Sequence, residues 1–365
     1  MVEAQQDRGM SQSAILQHWL RLQTIPFPHP YAVRHLRDAI VVGVDAEWYE
    51  HNPDYITELG VSVLDPRFIT DWSSPWEVLR MMVNHHVRIK PNAHIVNSEL
   101  CHGYPEDFQF GKSTFVSVEE AQSMLRHLFT RFDVVGQRRP VIFLGHAVDN
   151  DAKMMKERFG FDIESLGVVV ATVDTQALAV EVSFTARGRK IRLRDVVEEF
   201  VMSEKYLHNA GNDIVCTMMC AMLMQTPRPT KENQALYQQL KERLQASHKP
   251  SYGDSVFCTK CDSSNHVAAN CDAVVHCEHC AKDPHRRNNA NTHKTEKCLA
   301  ALREASTKTK LSLRQVRSSS PLPCPCQYCI ESPDPERHNV GNAYHHKKED
   351  CIWGSKDADV HSALV

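Results

Sequence analysis

Residues 41–49 read VVGVDAEWY. The apolar, β-branched run that opens at residue 39 is what a strand buried on both faces of a sheet requires. It ends in Asp-x-Glu. Side chains two apart on a strand point the same way, so Asp45 and Glu47 share one face at a strand end. Carboxylates gathered there repel one another unless a hard cation lies between them. Taken alone, the pair is as readily a solvated strand end as a site.

Two further fragments repeat the arrangement of an apolar element meeting an acid. Residues 143–151 read FLGHAVDND, and residues 206–215 read YLHNAGNDIV. Asp151 can begin and cap a helix, and His208 with Asp213 frames the start of another. Asp149, two residues before Asp151, is an alternative carboxylate at that point.

Working outward, residues 55–64 and 86–90 alternate as paired strands, and 91–114 shows no period and reads as loop. Residues 118–132 carry helical spacing behind a Ser117/Glu120 capping box. Strands are expected at 141–144 and 168–173, and helices at 14–22, 151–159, 193–200 and 212–224. Strands that alternate with helices after an initial meander predict an α/β domain with a mixed five-stranded sheet flanked by helices, closed by Pro227 and Pro229. The boundaries expected are an N-terminal extension over 1–37, the α/β domain over 38–228, a polar helical connector over 229–255, a Cys/His region over 256–355 and a tail over 356–365.

Composition bounds the rest. The chain has 365 residues, 42% hydrophobic and 24% charged, as in soluble globular proteins. Residues 1–228 carry 23 Lys and Arg against 29 Asp and Glu, a balance of −6, and residues 229–365 carry 19 against 16, a balance of +3. That asymmetry is too weak to argue for nucleic acid unaided. The N-terminus has no secretory pattern, and the apolar stretch at 215–224 is too short to span a bilayer, so the expectation is a cytoplasmic or nuclear protein with no membrane partner.

The order of the fragments, Asp-x-Glu, then Asp, then His-x-x-x-x-Asp, closely resembles the DEDDh 3′–5′ exonucleases of the RNase H-like superfamily. ITELG at 56–60, VDTQAL at 173–178 and KIRLRDVVEEF at 190–200 resemble further segments of that family, and the resemblance covers about residues 38–226. HNAGND and GHAVDND look closest to fungal members, among them the exonuclease that partners Argonaute in quelling and relatives implicated in mRNA export. The resemblance implies that Asp45, Glu47, Asp151 and Asp213 hold two Mg²⁺ or Mn²⁺ ions and that His208 serves as general base in releasing nucleoside 5′-monophosphates. It also implies a protein partner in RNA silencing or mRNA export. Many relatives read Gly-His-Asn with Phe before the Asp, where this chain has Ala147 and Asn150. A non-catalytic RNA-binding or adaptor protein on the same fold is the alternative.

Ten of the 13 cysteines fall between Cys258 and Cys351, interleaved with histidines. With no leader, this reads as metal binding in a reducing compartment. Cys258, Cys261, His266 and Cys271 have the CCHC zinc-knuckle spacing. Cys277, Cys280, His293 and Cys298, and then Cys326, Cys329, His346 and Cys351, repeat its two ends around a longer middle, with His279, His285, Cys324 and His345 as alternative ligands. One to three structural Zn²⁺ ions are expected. Such modules commonly grip single-stranded RNA, which makes single-stranded nucleic acid, RNA first, the expected partner.

Overall fold

The computed structural model describes residues 11–24, 35–185, 190–226 and 232–306. Its strands are β1 (Ile40–Tyr49), β2 (Asn52–Leu64), β3 (Val83–Ile89), β4 (Ser113–Val116), β5 (Val141–Gly145) and β6 (Val169–Asp174). They form one sheet in the order β4-β3-β2-β1-β5-β6. β1, β2 and β3 are antiparallel, while β4, β5 and β6 join their neighbours in parallel. The expected mixed sheet is therefore present with six strands rather than five. The sixth, β4, lies where the sequence reads as loop, because four residues are too few to show a period. Backbone hydrogen bonds in both directions between Phe115 and Asp254, at 2.8 and 2.9 Å, cover part of its outer edge.

Helices α1 (Gln12–Trp19), α2 (Pro75–Leu79), α3 (Val118–Phe129), α4 (Val148–Glu157), α5 (Thr175–Glu181), α6 (Leu193–Glu199), α7 (Ala210–Leu223) and α8 (Asn233–Ser247) accompany the sheet. The Ser117/Glu120 capping box opens α3 as expected. Two apolar cores result. Ile40, Val42 and Val44 pack with Leu125 and Phe129 of α3 and Met155 of α4, whereas Val41 joins Ile142 and Leu144 of β5 and the residues of α7. Both faces of β1 are covered, which is why its sequence is apolar without alternation. Every residue of α7 is buried, and this accounts for the apolar stretch at 215–224 as a central helix. Among the described residues, no helix is long and apolar enough to cross a membrane.

The polar segment expected as a connector instead completes a core. Tyr237, Leu240 and Leu244 of α8 are buried in the cluster that contains α7. Their i, i+3, i+7 spacing gives one apolar stripe on an otherwise polar helix. Glu204 accepts hydrogen bonds from Tyr237 Oη at 2.7 Å and Lys241 Nζ at 2.9 Å. The chain divides into compact units after Ala300, so the first two Cys/His clusters belong to the same body as the sheet.

Gly60 of β2 sets the position of α7. It faces Asp45 across the β1–β2 ladder, and a Cβ there would lie 1.9 Å from the Ala210 carbonyl oxygen. A Cβ at Gly43 would meet side chains instead of backbone, Ile214 at 2.7 Å and Met218 at 3.4 Å. Gly60→Ala is expected to cost at least about 2 kcal/mol because backbone must move, while Gly43→Ala costs less because Ile214 can turn. Denaturant midpoints of the two variants check the order.

Candidate active site

Three elements bring the acids together. Asp45 and Glu47 lie near the end of β1, where the pairing with β2 slips at Glu47/Trp48 and Trp48/Tyr49. Asp151 sits in the first turn of α4 and Asp213 in the first turn of α7, 5% and 8% exposed. His208 precedes Asn209, whose side chain caps α7 through the Asn212 N–H at 3.0 Å. The candidate ligand atoms of Glu47, His208 and Asp213 all lie within 4.8 Å of one another. The charges of Asp45 and Asp151 act on Glu47, and those of Asp45 and Asp213 act on Asp151. The structure thus gathers Asp45, Glu47, Asp151, His208 and Asp213, while Asp149 points away as an exposed residue of α4.

The electrostatics are those of an uncompensated acid cluster. Burial, reinforced by the charge of Glu58, pushes the Asp45 carboxyl up to about 7. Burial holds Glu47 well above the usual carboxylate range, with Asp45, Asp213, Glu58 and Asp151 adding to it. Asp151 and Asp213 are raised in the same way, by burial first and Asp45 second. The largest influences on these four are burial and neighbouring carboxylates. The relief comes from backbone donors: the His208 N–H reaches both oxygens of Asp213 at 3.1 Å, and the Ala46 N–H serves Asp151. An oxygen-rich, anionic and partly buried donor set of this kind fits hard divalent cations.

His208 is exposed and adopts a left-handed backbone with φ of 71°. Its carbonyl accepts the Tyr104 N–H at 3.2 Å, so the residue is held on both sides. Partial burial of the ring and the nearby Arg194 lower its pKa below the ordinary histidine value.

The departures at Ala147 and Asn150 leave this frame intact. Ala147 takes the left-handed N-cap position of α4, with φ of 60°, and its N–H donates to Asp174 Oδ1 at 2.9 Å. That same oxygen caps α5 through the Gln176 N–H. His146 is oriented by Thr175 Oγ1 at 2.7 Å and the Ile191 carbonyl at 3.1 Å. Asn150 is exposed at a cavity of about 410 Å³ that Asp45, Glu47, Trp48, Leu100 and Asp151 also line.

Sequence reasoning assigned no role to Glu50, Glu58 or His86. Glu58 is 4% exposed and faces Glu47 across the ladder. It meets His86 Nε2 at 2.9 Å, and His86 Nδ1 in turn meets Ser113 Oγ at 2.8 Å. The available signal was a charged residue inside the apolar alternation of ITELG.

The Cys/His clusters form by the ligands expected of them. The ligand atoms of Cys258, Cys261, His266 and Cys271 lie within 4.8 Å of one another, and so do those of Cys277, Cys280, His293 and Cys298. Three thiols and an imidazole fit tetrahedral Zn²⁺. Although burial opposes it, backbone N–H groups of Cys261 and Lys260 bring the Cys258 thiol down to about 7. The two clusters are tied by Asp262, which pairs with Lys294 at 2.7 Å and with the buried Lys297, and Lys297 also donates to the Thr259 carbonyl. Cys326, Cys329, His346 and Cys351, with the alternatives Cys324 and His345, lie outside the described residues.

Three fungal relatives match about half of this chain. They are the Saccharomyces cerevisiae uncharacterized protein YDR514C (21% identity, 49% of this chain and 40% of the relative) and the S. cerevisiae "Good for full DBP5 activity protein 2" (25%, 49% and 34%). The third is the Schizosaccharomyces pombe uncharacterized nucleolar protein C2C4.08 (27%, 47% and 62%). The chain therefore spans less than two thirds of each. The DEDDh family described as DNA polymerase III subunit epsilon-like, C-terminal domain, matches residues 40–224, a span that begins with β1 and ends just past α7 and so takes in all five gathered residues. The chain belongs to that DEDDh exonuclease family.

Proposed function

We propose that this chain is a divalent-metal-dependent 3′–5′ exonuclease acting on single-stranded RNA, with zinc-bound Cys/His clusters that help to grip the strand. The observation that carries the reading is the gathering of four raised carboxylates, two of which, Glu47 and Asp213, have ligand atoms within 4.8 Å of the His208 imidazole. Mg²⁺ or Mn²⁺ ions held by Asp45, Glu47, Asp151 and Asp213 would activate water and neutralise charge at the scissile phosphate. His208, with a ring nitrogen within 4.8 Å of Glu47 and Asp213, would take the proton of the attacking water. Trp48 and Leu100 offer an apolar wall for the terminal base, and Asn150 offers an amide to its sugar or edge. RNA is favoured over DNA by the knuckle spacing of the first cluster.

The second reading, an adaptor that binds RNA and acts through a partner, draws on the relative named for full DBP5 activity. A nuclear location draws on the relative named nucleolar. Against the adaptor stands the cost of keeping four clustered acids, two buried and two partly buried, without cations, which a scaffold would have no reason to bear.

With 5′-labelled single-stranded RNA or DNA in Mn²⁺, the wild-type chain is expected to produce a ladder of shortened products. Asp45→Ala/Glu47→Ala should abolish it, and His208→Ala should slow it by about 10²–10⁴-fold. Binding without shortening would leave the adaptor.

Stability should report on the same carboxylates. Asp45 has its folded-state pKa raised to about 7 from 3.8, so the native chain holds a proton that the unfolded chain has lost. Without divalent ions, stability therefore falls as pH rises from about 4 through 7. Added Mg²⁺ or Mn²⁺ should restore it most at the upper end of that range, because the ligands must be deprotonated to bind. Melting curves across pH with and without the ions test this.

Metal analysis of the purified chain should find at least two zinc ions, one for each described cluster. A lower content would remove the zinc part of the proposal.

A further inference from the structure

Two cavities meet along one short stretch of chain. Ala93 packs with Phe115 and Phe257 in a small apolar cluster, and His94 lines a cavity of about 530 Å³ with Thr259, Lys260, His293 and Cys298. Asn97, Leu100 and Cys101 line the catalytic cavity. From residue 94 to residue 97 the backbone spans at most ~11 Å. The docking face of the Cys/His region and the outer wall of the catalytic cavity thus belong to a single strap.

Glu50, just beyond β1, holds that strap. Its side chain is 4% exposed, and its carboxylate accepts the N–H groups of Ser98 at 3.1 Å, Glu99 at 3.0 Å, Leu100 at 2.7 Å and Cys101 at 3.3 Å. Asn97 closes the same joint: its amide donates to the Trp48 carbonyl at 2.8 Å, and its oxygen accepts the Glu50 N–H at 3.0 Å. Successive N–H groups converging on one point are an anion cradle. Against the cost of burial, they keep Glu50 ionised down to a pKa of about 2. Glu50, His51 and Glu99 also lie close enough to hold a cation, but the oxygens of Glu50 already serve backbone donors, which marks the group as a joint.

The joint has a consequence at the cavity. Leu100 is 78% exposed, yet its N–H and those on either side of it are anchored. It stands as a fixed apolar surface beside Trp48. Farther along, Tyr104 donates to the His208 carbonyl and its own carbonyl accepts from Asn209 Nδ2 at 2.9 Å, so the strap also steadies the backbone that carries the imidazole.

We propose that Glu50 is a positioning residue for substrate binding, fixing residues 93–104 as the outer wall of the catalytic cavity, and that the first Cys/His cluster anchors the other end of this strap, so that metal loss there loosens the wall. The ligand, single-stranded nucleic acid, rests on the nuclease reading; the mechanical link does not.

The test uses the full chain, with hydrogen exchange at the amides of 93–101 and affinity for a short single-stranded oligoribonucleotide in Ca²⁺, where turnover is not needed. Glu50→Gln puts an amide N–H₂ against N–H donors. It should speed exchange at 98–101 and weaken binding by about tenfold, roughly the loss of one charged hydrogen bond. Glu50→Asp keeps the charge and should recover part of both. Cys258→Ser should speed exchange at 93–101 while α3 stays protected. Unchanged exchange in Glu50→Gln, or faster exchange with unchanged affinity, overturns the positioning role, and unchanged exchange in Cys258→Ser overturns the anchor. A wild-type chain that binds the strand in Ca²⁺ but never shortens it in Mn²⁺ defeats the enzyme reading and leaves the strap standing, whereas one that binds no strand defeats the enzyme reading and the substrate-positioning role and leaves the mechanical link to the exchange rates.

Discussion

The contact between α7 and β2 is the constraint on which the site depends. Only a glycine at position 60 lets the Ala210 carbonyl come so near the sheet, and Gly60 is also the residue that faces Asp45. Helix and strand are therefore locked at the point where Asp213 must meet Asp45 and Glu47. Repulsion among the acids works against that geometry. It is held by apolar packing instead: α7 is buried along its whole length, and β1 is covered on both faces. A charge cluster fixed by its scaffold needs little reorganisation when cations and substrate arrive, which is the arrangement that electrostatic catalysis favours.

Sequence showed most of this frame because its signals are local. The apolar run of β1, the Asp-x-Glu at its end and the HNAGND turn each declare themselves within a few residues. The distance from Gly-His favours Asp151 over Asp149, and the physical reason appears only with the start of α4. Once it begins at Val148, the two lie about 200° apart around the helix, and only one can face β1. β4 and the packing of α8 into the core stayed hidden for different reasons. One is too short for a period, and the other buries a single stripe. Glu50, Glu58 and His86 acquire their meaning only from residues brought to them across the fold, which no spacing discloses.

The Cys/His region shows the same division between local and distant information. Its ligand sets are legible as spacings because each closes within about one knuckle's length of chain. Its attachment to the sheet is not. That attachment consists of the Phe115–Asp254 backbone pairing, the Phe115–Phe257 ring contact at 5.4 Å and the Lys90–Asp254 ion pair at 2.9 Å. Lys90 is partly buried, so its pair is screened less than a surface one. The zinc-type module is thus built into the edge of the nuclease-like body, whereas composition alone suggests a module beyond a helical connector.

Two non-glycine residues in left-handed conformation flank the site, Ala147 before α4 and His208 before α7. Each such residue costs about 1–2 kcal/mol. In both cases a carboxylate receives the N–H that the turn exposes, Asp174 at Ala147 and Asp213 at His208, and hydrogen bonds to a charged acceptor are strong enough to offset the strain. The two positions nevertheless differ in kind. At 147 the strain serves only to start α4 where Asp151 faces β1, so any residue tolerant of the left-handed region would do, and the asparagine common among relatives is one. At 208 the same turn that lets the N–H grip Asp213 also brings the imidazole to Glu47, so there the proposed function needs the side chain itself. Glycine there would relieve the backbone and remove the proposed base, so on that proposal the strain at His208 is bound to the chemistry in a way that the strain at Ala147 is not.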